Sequence, residues 1–431
     1  MKHWLRFLML GAGILAFVGV VMGGIWVYQS TVKKPEPRKV AKIEVLLTGT
    51  TLDEIKIGEK EDRYDGNSVI LTDENGETME FSEVELRLRG NSSLAQEKKP
   101  FQLKFANKAS IFELGEAKKW VLRNNFLDRS YLRDDAAMKI AEMIGEDYAR
   151  RGKFVEMYFN GEYEGLYYLL HRVEIGKERV DLRDTAGVLV EMDSLHKDEG
   201  GCYFTYAGSC LKLADAVLEE EGWEEKVMEE FLTDFNKLEM AAEKGDYASA
   251  AELADMESLA KYFLISEFSA NPDAYASSFY FYRNGTNDKI HAGPVWDFDF
   301  AFGNREWTWG EQIEGFFNIN NDQVRREEVF SENSDGNIAK LVYQLMDMPE
   351  FRAEVARIWQ ERMSGRKQEL MLSLKKTAST IREAALKDAE KWDRGDFDTE
   401  VGALLDWIEA RYAHMEEVYG GGEKTAPLRA V

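Results

Sequence analysis

The sequence predicts an α+β fold, with a β-rich first half, a helical second half and an apolar segment ahead of both. Three observations carry this. Between residue 41 and about 105, apolar and polar residues alternate with the two-residue period of strands. From about Trp223 onward, apolar residues recur at helical spacing. Residues 7–28 contain no charged side chain and are rich in Leu, Val, Gly and Ile, enough to span a bilayer. At 431 residues, 44% hydrophobic with seven prolines, the chain can bury more than one core.

In chain order, residues 1–30 read as a transmembrane anchor or signal segment. Lys2 and Arg6 precede the apolar run and no small-x-small cleavage site follows, which favours a retained anchor. Lys33, Lys34, Arg38 and Lys39 follow the span, so charge leaves the orientation open. Residues 31–40, with Pro35 and Pro37, form a linker. Residues 41–215 make the β-rich lobe. Ile43 to Leu47 and Met79 to Leu88 alternate as strands, and Asp65-Gly66-Asn67 and Glu74-Asn75-Gly76 are turn signals between strands. A helix begins near Asp128 or Ser130, carries Leu132, Ala136, Ile140 and Met143 on one face and stops at Gly145. Phe154 to Leu170 returns to strands around Asn160-Gly161, a strong hairpin signal. Gly187 to Met192 is a further buried strand.

Residues 216–420 make the helical lobe. Leu259 to Phe268 is strongly apolar. Ser278 to Tyr282 and Ile290 to Trp296 read as paired strands joined at Arg283-Asn284-Gly285. After a polar stretch at 306–336, amphipathic helices are expected at about 337–347 with 350–363, then 366–391 and 400–418. Gly420-Gly421-Gly422 ends the last, and 421–431 is a tail.

A formal charge of −24 argues against nucleic acid as a partner, because phosphate backbones need a basic face. It is compatible with metal ions or basic proteins as partners, and simple solubility is the plainer reading. Cys202 and Cys210 flank two short strands around Ala207-Gly208-Ser209. A disulfide across that hairpin, implying an oxidising compartment, and two separate thiols are both open. The five scattered histidines give no zinc pattern.

The most informative stretch is Trp296-Asp297-Phe298-Asp299-Phe300. Two carboxylates among aromatics need compensation, and a hard cation is the usual compensator. Asn271-Pro272-Asp273 adds a second acidic point upstream, so the pair suggests a metal-dependent phosphate site. Arg89 could hold phosphate through a bidentate fork or serve a cross-strand ion pair. Gly90-Asn91-Ser92-Ser93 offers backbone N–H groups and hydroxyls, Ser92 among them, in a loop able to cover phosphates; a bare turn is the alternative.

Six pieces in this order resemble the spore coat protein H (CotH) family of atypical protein kinases, over about 41–418. They are Leu88-Arg89-Gly90-Asn91-Ser92-Ser93; Lys98-Lys99-Pro100-Phe101-Gln102-Leu103-Lys104-Phe105; Asp128 to Asp134; Tyr158 to Tyr167; Asn271-x-Asp273; and Trp296 to Asn304. The resemblance implies a divergent protein-kinase-like two-lobe fold that transfers the γ-phosphoryl of ATP to Ser/Thr of protein substrates, with Mg2+ or Mn2+. It implies Asp297 as main metal ligand, with Asp299 helping or holding the loop. Asp273 would orient the acceptor hydroxyl and take its proton, or else act as a helix cap beside Pro272. The family pattern places Asn where this chain has Ser278, a poorer metal ligand. Lys104, on a strand, resembles the kinase lysine that meets ATP phosphates, with Lys99 its rival. Glu174 would pair with that lysine, or lie at the surface.

The expected protein is thus a membrane-tethered kinase with an extracytoplasmic body, acting on secreted or coat-like proteins that the family association makes basic and Ser-rich. The alternative is a catalytically weak surface protein using the same fold in adhesion or assembly; Ser278 and an ATP-poor exterior favour it. A phosphatase using Asp297 and Asp299 is a third reading, which the order of elements does not support.

Overall fold

The computed structural model describes residues 40–218, 222–271, 273–304 and 339–421. The predicted membrane segment, the linker, the polar stretch at 306–336 and the tail beyond 421 lie outside them. Among the described residues no helix is long and apolar enough to cross a membrane.

The first part is a closed barrel. Its strands are β1 (Ala41–Leu46), β2 (Tyr64–Thr72), β3 (Thr78–Leu88), β4 (Phe101–Ser110), β5 (Glu116–Arg123), β6 (Lys153–Phe159) and β7 (Glu162–His171). They pair in the order β1-β2-β3-β4-β5-β7-β6, and β6 runs parallel to β1 to close the ring. Alternation decides what fills it. Ile43, Val45, Val69, Leu86, Phe101, Leu103, Leu122, Met157 and Leu169 point inward and form a core of their own. The β6–β7 turn is the expected Asn160-Gly161, both residues at positive φ (49° and 87°). Asp65-Gly66-Asn67 is a correction: it lies inside β2, at a register shift against β3, rather than between strands. Asn67 is buried there and donates to Tyr64 O and Val84 O, so the turn-like residues build a bulge.

The outward face of β7 (Leu166, Tyr168, Leu170) packs on α2 (Arg133–Ile144), which ends at Gly145 in the left-handed region as predicted. A short α1 (Leu52–Ile57), opened by a Thr51/Glu54 capping box, was not expected. A second sheet joins β8 (Val188–Met192), β9 (Tyr203–Phe204), β10 (Cys210–Ala216), β11 (Phe279–Arg283) and β12 (His291–Ala292) in the order β12-β11-β8-β10-β9. It therefore draws strands from both sides of residue 215. Cys202 and Cys210 form a disulfide across the β9–β10 hairpin.

The helical part comprises α3 (Trp223–Glu243), α4 (Tyr247–Leu253), α5 (Met256–Ser269), α6 (Ala339–Met346), α7 (Pro349–Arg362), α8 (Lys367–Trp392) and α9 (Phe397–Tyr419). One hydrophobic core runs from the outer face of β7 through α2 and the second sheet into these helices. Two buried ion pairs tie the parts: Lys98 Nζ to Asp388 Oδ1 (2.8 Å) joins the barrel to α8, and Arg411 to Glu267 (2.8 Å) joins α9 to α5. Asp388 also accepts from Tyr131 OH and Leu166 N (2.7 Å each), which satisfies its charge without water.

Candidate functional site

The outward residues of the barrel make one wall of a cleft. Inward Leu86 and Leu88 alternate with outward Arg87 and Arg89; inward Phe101 and Leu103 flank outward Gln102; inward Leu122 precedes outward Arg123. Register brings Arg87 opposite Gln102, and Arg87 Nη2 donates to Gln102 Oε1 at 3.1 Å. After β3, Gly90 turns the chain at φ 92°, where a Cβ would sit 2.2 Å from Ser93 Oγ. The loop it opens is tied across the cleft. Lys60 Nζ donates to Asn91 Oδ1 (2.5 Å), and Asn91 Nδ2 lies 3.1 Å from His196 Nε2.

The opposite wall is largely irregular backbone on either side of β11 and β12, between α5 and Asn304. Ala270, Tyr275, Ser278, Asp297 and Phe302 all have positive φ, a cost retained where surroundings impose it. Those surroundings are specific. Asn271 accepts from Asp273 N (3.2 Å) and donates to Asp297 O (3.1 Å), which locks the two acidic loops together. Phe298 N donates to Asp134 Oδ1 (3.0 Å), and Arg150 Nη2 to Val295 O (2.7 Å). Asn304 Nδ2 donates to Asp299 O (2.6 Å).

Between the walls lies a cavity of about 530 Å3 whose lining includes Arg87, Arg89, Ser92, Arg123, Arg172, Asp273, Ser278, Asp297 and Asp299. Six of the eight predicted site residues meet there: Asp273, Ser278, Asp297, Asp299, Arg89 and Ser92. Lys104 and Glu174 do not. Lys104 shares the outward face of β4 with Gln102 but sits one strand repeat further from the cleft. Its ammonium pairs with Glu85 at 3.1 Å. Glu174 is held by Arg179 and by Lys119 (3.4 Å), the residue opposite Lys104 across β4 and β5, and among the described residues makes no ion pair with Lys104. Lys99, the rival, spends its ammonium on Leu94 O at 2.7 Å.

Arg123 and Asp134 were assigned no role from sequence. Arg123 Nε binds Asp134 Oδ2 (2.8 Å), and its Nη2 meets Asp297 Oδ1 (2.6 Å) and Asp299 Oδ2 (3.4 Å). The available signal was the apolar run Trp120-Val121-Leu122 ending in an arginine. Trp296 forms a floor under three guanidinium groups, with centroid distances of 4.2 Å to Arg150, 5.2 Å to Arg89 and 5.5 Å to Arg123.

The electrostatics follow from this geometry. Burial, with Arg123 adjacent, pulls Arg89 down to about 10. Arg89 and Arg172 make no ion pair among the described residues, but the charge of Asp297 acts on Arg89 and both arginines act on Glu191, which shares the cavity lining. Burial pushes the Asp297 carboxyl up, but Arg123, Arg89 and the Ser278 hydroxyl outweigh it and the net is downward. Asp299 goes well up, through burial and the charges of Asp297, Asp134 and Asp273. Asp273 is raised to about 6 by burial and by Asp297. Its carboxylate has no hydrogen-bond partner among the described residues, so it faces the cavity unengaged.

Among the described residues no group of three or more His, Cys, Asp or Glu side chains forms a metal cluster. The donors present still fit magnesium. Asp297 and Asp299 converge on a single point, the Arg123 Nη2, and Ser278 Oγ stands 3.4 Å from Asp297 Oδ2. Magnesium takes one or two carboxylates and keeps its other positions for water or phosphate.

A closed barrel set on a helical body, with arginines facing aspartates across the joint, defines an α+β protein with a charged cleft between its parts. The chain belongs to the CotH kinase protein family, whose model matches residues 86–415. No curated protein matches the chain.

Proposed function

We propose that the chain is an atypical protein kinase, the barrel and helical body corresponding to the two lobes of a divergent protein-kinase-like fold. It would transfer the γ-phosphoryl of ATP to Ser/Thr of protein substrates. The observation that carries this is the opposition of Arg87, Arg89 and Arg172 to Asp273, Asp297 and Asp299 across one cavity. Phosphoryl transfer needs positioning and charge neutralisation, and such a cavity supplies both. On this reading the arginines and the Gly90–Ser93 loop, with Ser92, hold the triphosphate. Asp297, Asp299 and Ser278 hold Mg2+ or Mn2+, which when bound neutralises phosphate oxygens. Asp273 accepts the proton of the acceptor hydroxyl as that oxygen bonds to phosphorus and ADP departs. With its carboxyl near 6, Asp273 is ionised at neutral pH yet still basic enough to serve.

Membrane attachment through residues 7–28, with the body outside the cytoplasm, belongs to the same proposal. The Cys202–Cys210 disulfide supports an oxidising surrounding. The net charge of −24 fits a basic, Ser-rich protein substrate and disfavours nucleic acid.

The second reading, a catalytically weak protein of adhesion or assembly, is favoured by one contact: Arg123 occupies the point where Asp297 and Asp299 converge. One experiment separates the two. Full-length protein in detergent is incubated with γ-labelled ATP, Mg2+ or Mn2+, and a basic Ser-rich protein, alongside Asp297→Asn. Label transfer by the wild type and none by the variant supports the kinase. Equal labelling, or none by either, sinks it.

A further inference from the structure

Arg123 touches groups whose purposes conflict. Asp297 and Asp299 are the carboxylates proposed to hold a divalent cation, and a guanidinium donates hydrogen bonds to the same oxygens such a cation would take. The two positive species compete at Asp297 Oδ1, each raising the cost of the other there. Yet Arg123 is not held equally at its two ends. Asp134, 2.8 Å from Nε in a charge contact without hydrogen-bond geometry, has a side chain 2% exposed and is fixed by Phe298 N. Asp297, which receives Nη2, is 33% exposed and opens on the cavity. Nη2 makes the hydrogen bond, at 2.6 Å, but it is the end that water and an incoming cation reach, so it is the end open to exchange. Its path is laid out, since Arg123 and Arg89 share the Trp296 ring.

We propose that Arg123 is an exchangeable placeholder cation and positioning residue. Before the divalent ion arrives it neutralises Asp297 and Asp299. When the ion binds with nucleotide, Arg123 keeps Asp134, releases Asp297 and turns its Nη end across Trp296 toward the phosphates beside Arg89. This inference rests on the kinase reading. It adds that metal alone binds weakly because it must evict an internal cation, whereas metal with nucleotide binds well because the evicted cation gains a new anion.

The test compares wild type, Arg123→Gln and Arg123→Lys, all full length in detergent, by calorimetric titration with Mn2+ alone and with Mn2+ plus a non-hydrolysable ATP analogue. A competing unit charge at contact distance changes a carboxylate's affinity for a proton by one to three powers of ten, so Arg123→Gln should bind Mn2+ alone roughly tenfold more tightly. For the Mn2+–analogue pair the same variant is spared that eviction but loses one charged contact, so its affinity should stay within a few-fold of wild type and the gain seen with Mn2+ alone should disappear. Arg123→Lys, which keeps the charge, should bind Mn2+ alone like wild type. A merely structural arginine would weaken both titrations together, and that result, or unchanged Mn2+ binding in Arg123→Gln, overturns the proposal while leaving the kinase reading intact. Wild type that binds no Mn2+–analogue pair overturns both. If Arg123→Gln does not fold, a crystal structure of wild type with Mn2+ and the analogue decides. Arg123 off Asp297 but on Asp134 supports the exchange; Arg123 still on Asp297 refutes it.

Discussion

The two walls of the cleft are built by opposite means. The cationic wall is regular strand, where inward apolar residues fix the barrel and the outward positions, Arg87, Arg89, Gln102 and Arg123, follow from the two-residue period. The acidic wall is loop on either side of β11 and β12, with positive φ at Tyr275, Ser278 and Asp297, and side-chain bonds to Asn271, Asp134 and Arg150 hold its Val295–Phe298 part. A rigid wall can offer arginines a steady angle toward an anion. The strained wall can bring carboxylates closer than a regular element would, because neighbouring elements impose its shape. On the proposed kinase reading the walls serve different partners, polyphosphate on one side and a small hard cation on the other.

The largest expected effect falls on the strained wall. Asp273→Asn should lower phosphoryl transfer by about 10^2- to 10^4-fold, with ATP affinity nearly unchanged, as read by single-turnover labelling and ATP titration. Wild-type transfer should rise with pH through about 6, as Asp273 loses its proton. The sign for stability is opposite. A carboxyl raised above its ordinary value of 3.8 gives stability that is fully present below that value and lost as pH rises through about 6. Asp273→Asn should therefore melt slightly higher than wild type above pH 7.

Next in size is the joint that holds both walls. Asp388→Ala strands the buried ammonium of Lys98, which burial already pulls down to about 8, and frees Tyr131 and Leu166 N. The expected loss is about 3–5 kcal/mol, read as a lowered denaturation midpoint at unchanged slope. A smaller change follows on the regular wall. Arg89→Gln should weaken ATP binding about 10- to 100-fold, the range for a hydrogen bond to a charged group, and leave the melting temperature within a few degrees. The smallest belongs to Lys104→Ala. Its ion pair with Glu85 is half exposed, so stability should move by no more than about 0.5 kcal/mol and ATP affinity not at all. A large loss of ATP affinity there would mean that the cleft extends further along β4 than the arginines indicate.

Most elements were legible in the sequence where a local signal sufficed. Asn160-Gly161, Gly145 and the long helical repeats needed only their own neighbours to be read. The acidic wall was legible as motif, and Asp273, Ser278, Asp297 and Asp299 do meet in one cavity. What local sequence leaves open has a common cause. Alternation tells which face a strand residue takes but not how far along the strand a cleft lies. Lys104 is on the outward face, two residues beyond Gln102 and outside the cavity lining. Arg123 was passed over because β5 had not been recognised, and barrel closure brings its end to the cleft. Asp65-Gly66-Asn67 carries turn chemistry that β2 uses for a bulge, a choice made by pairing with β3. Glu174 reads as a free strand-end carboxylate until Arg179, five residues later, folds back onto it.

On the kinase reading the two walls act together on one ligand. Calorimetric titration of the full-length protein with ATP, in the presence and absence of Mg2+, for wild type and Asp297→Asn tests this most directly. The prediction is tight binding only for wild type with Mg2+, and weak, metal-independent binding for the variant. ATP affinity that is the same with and without Mg2+, or the same in both proteins, would contradict it.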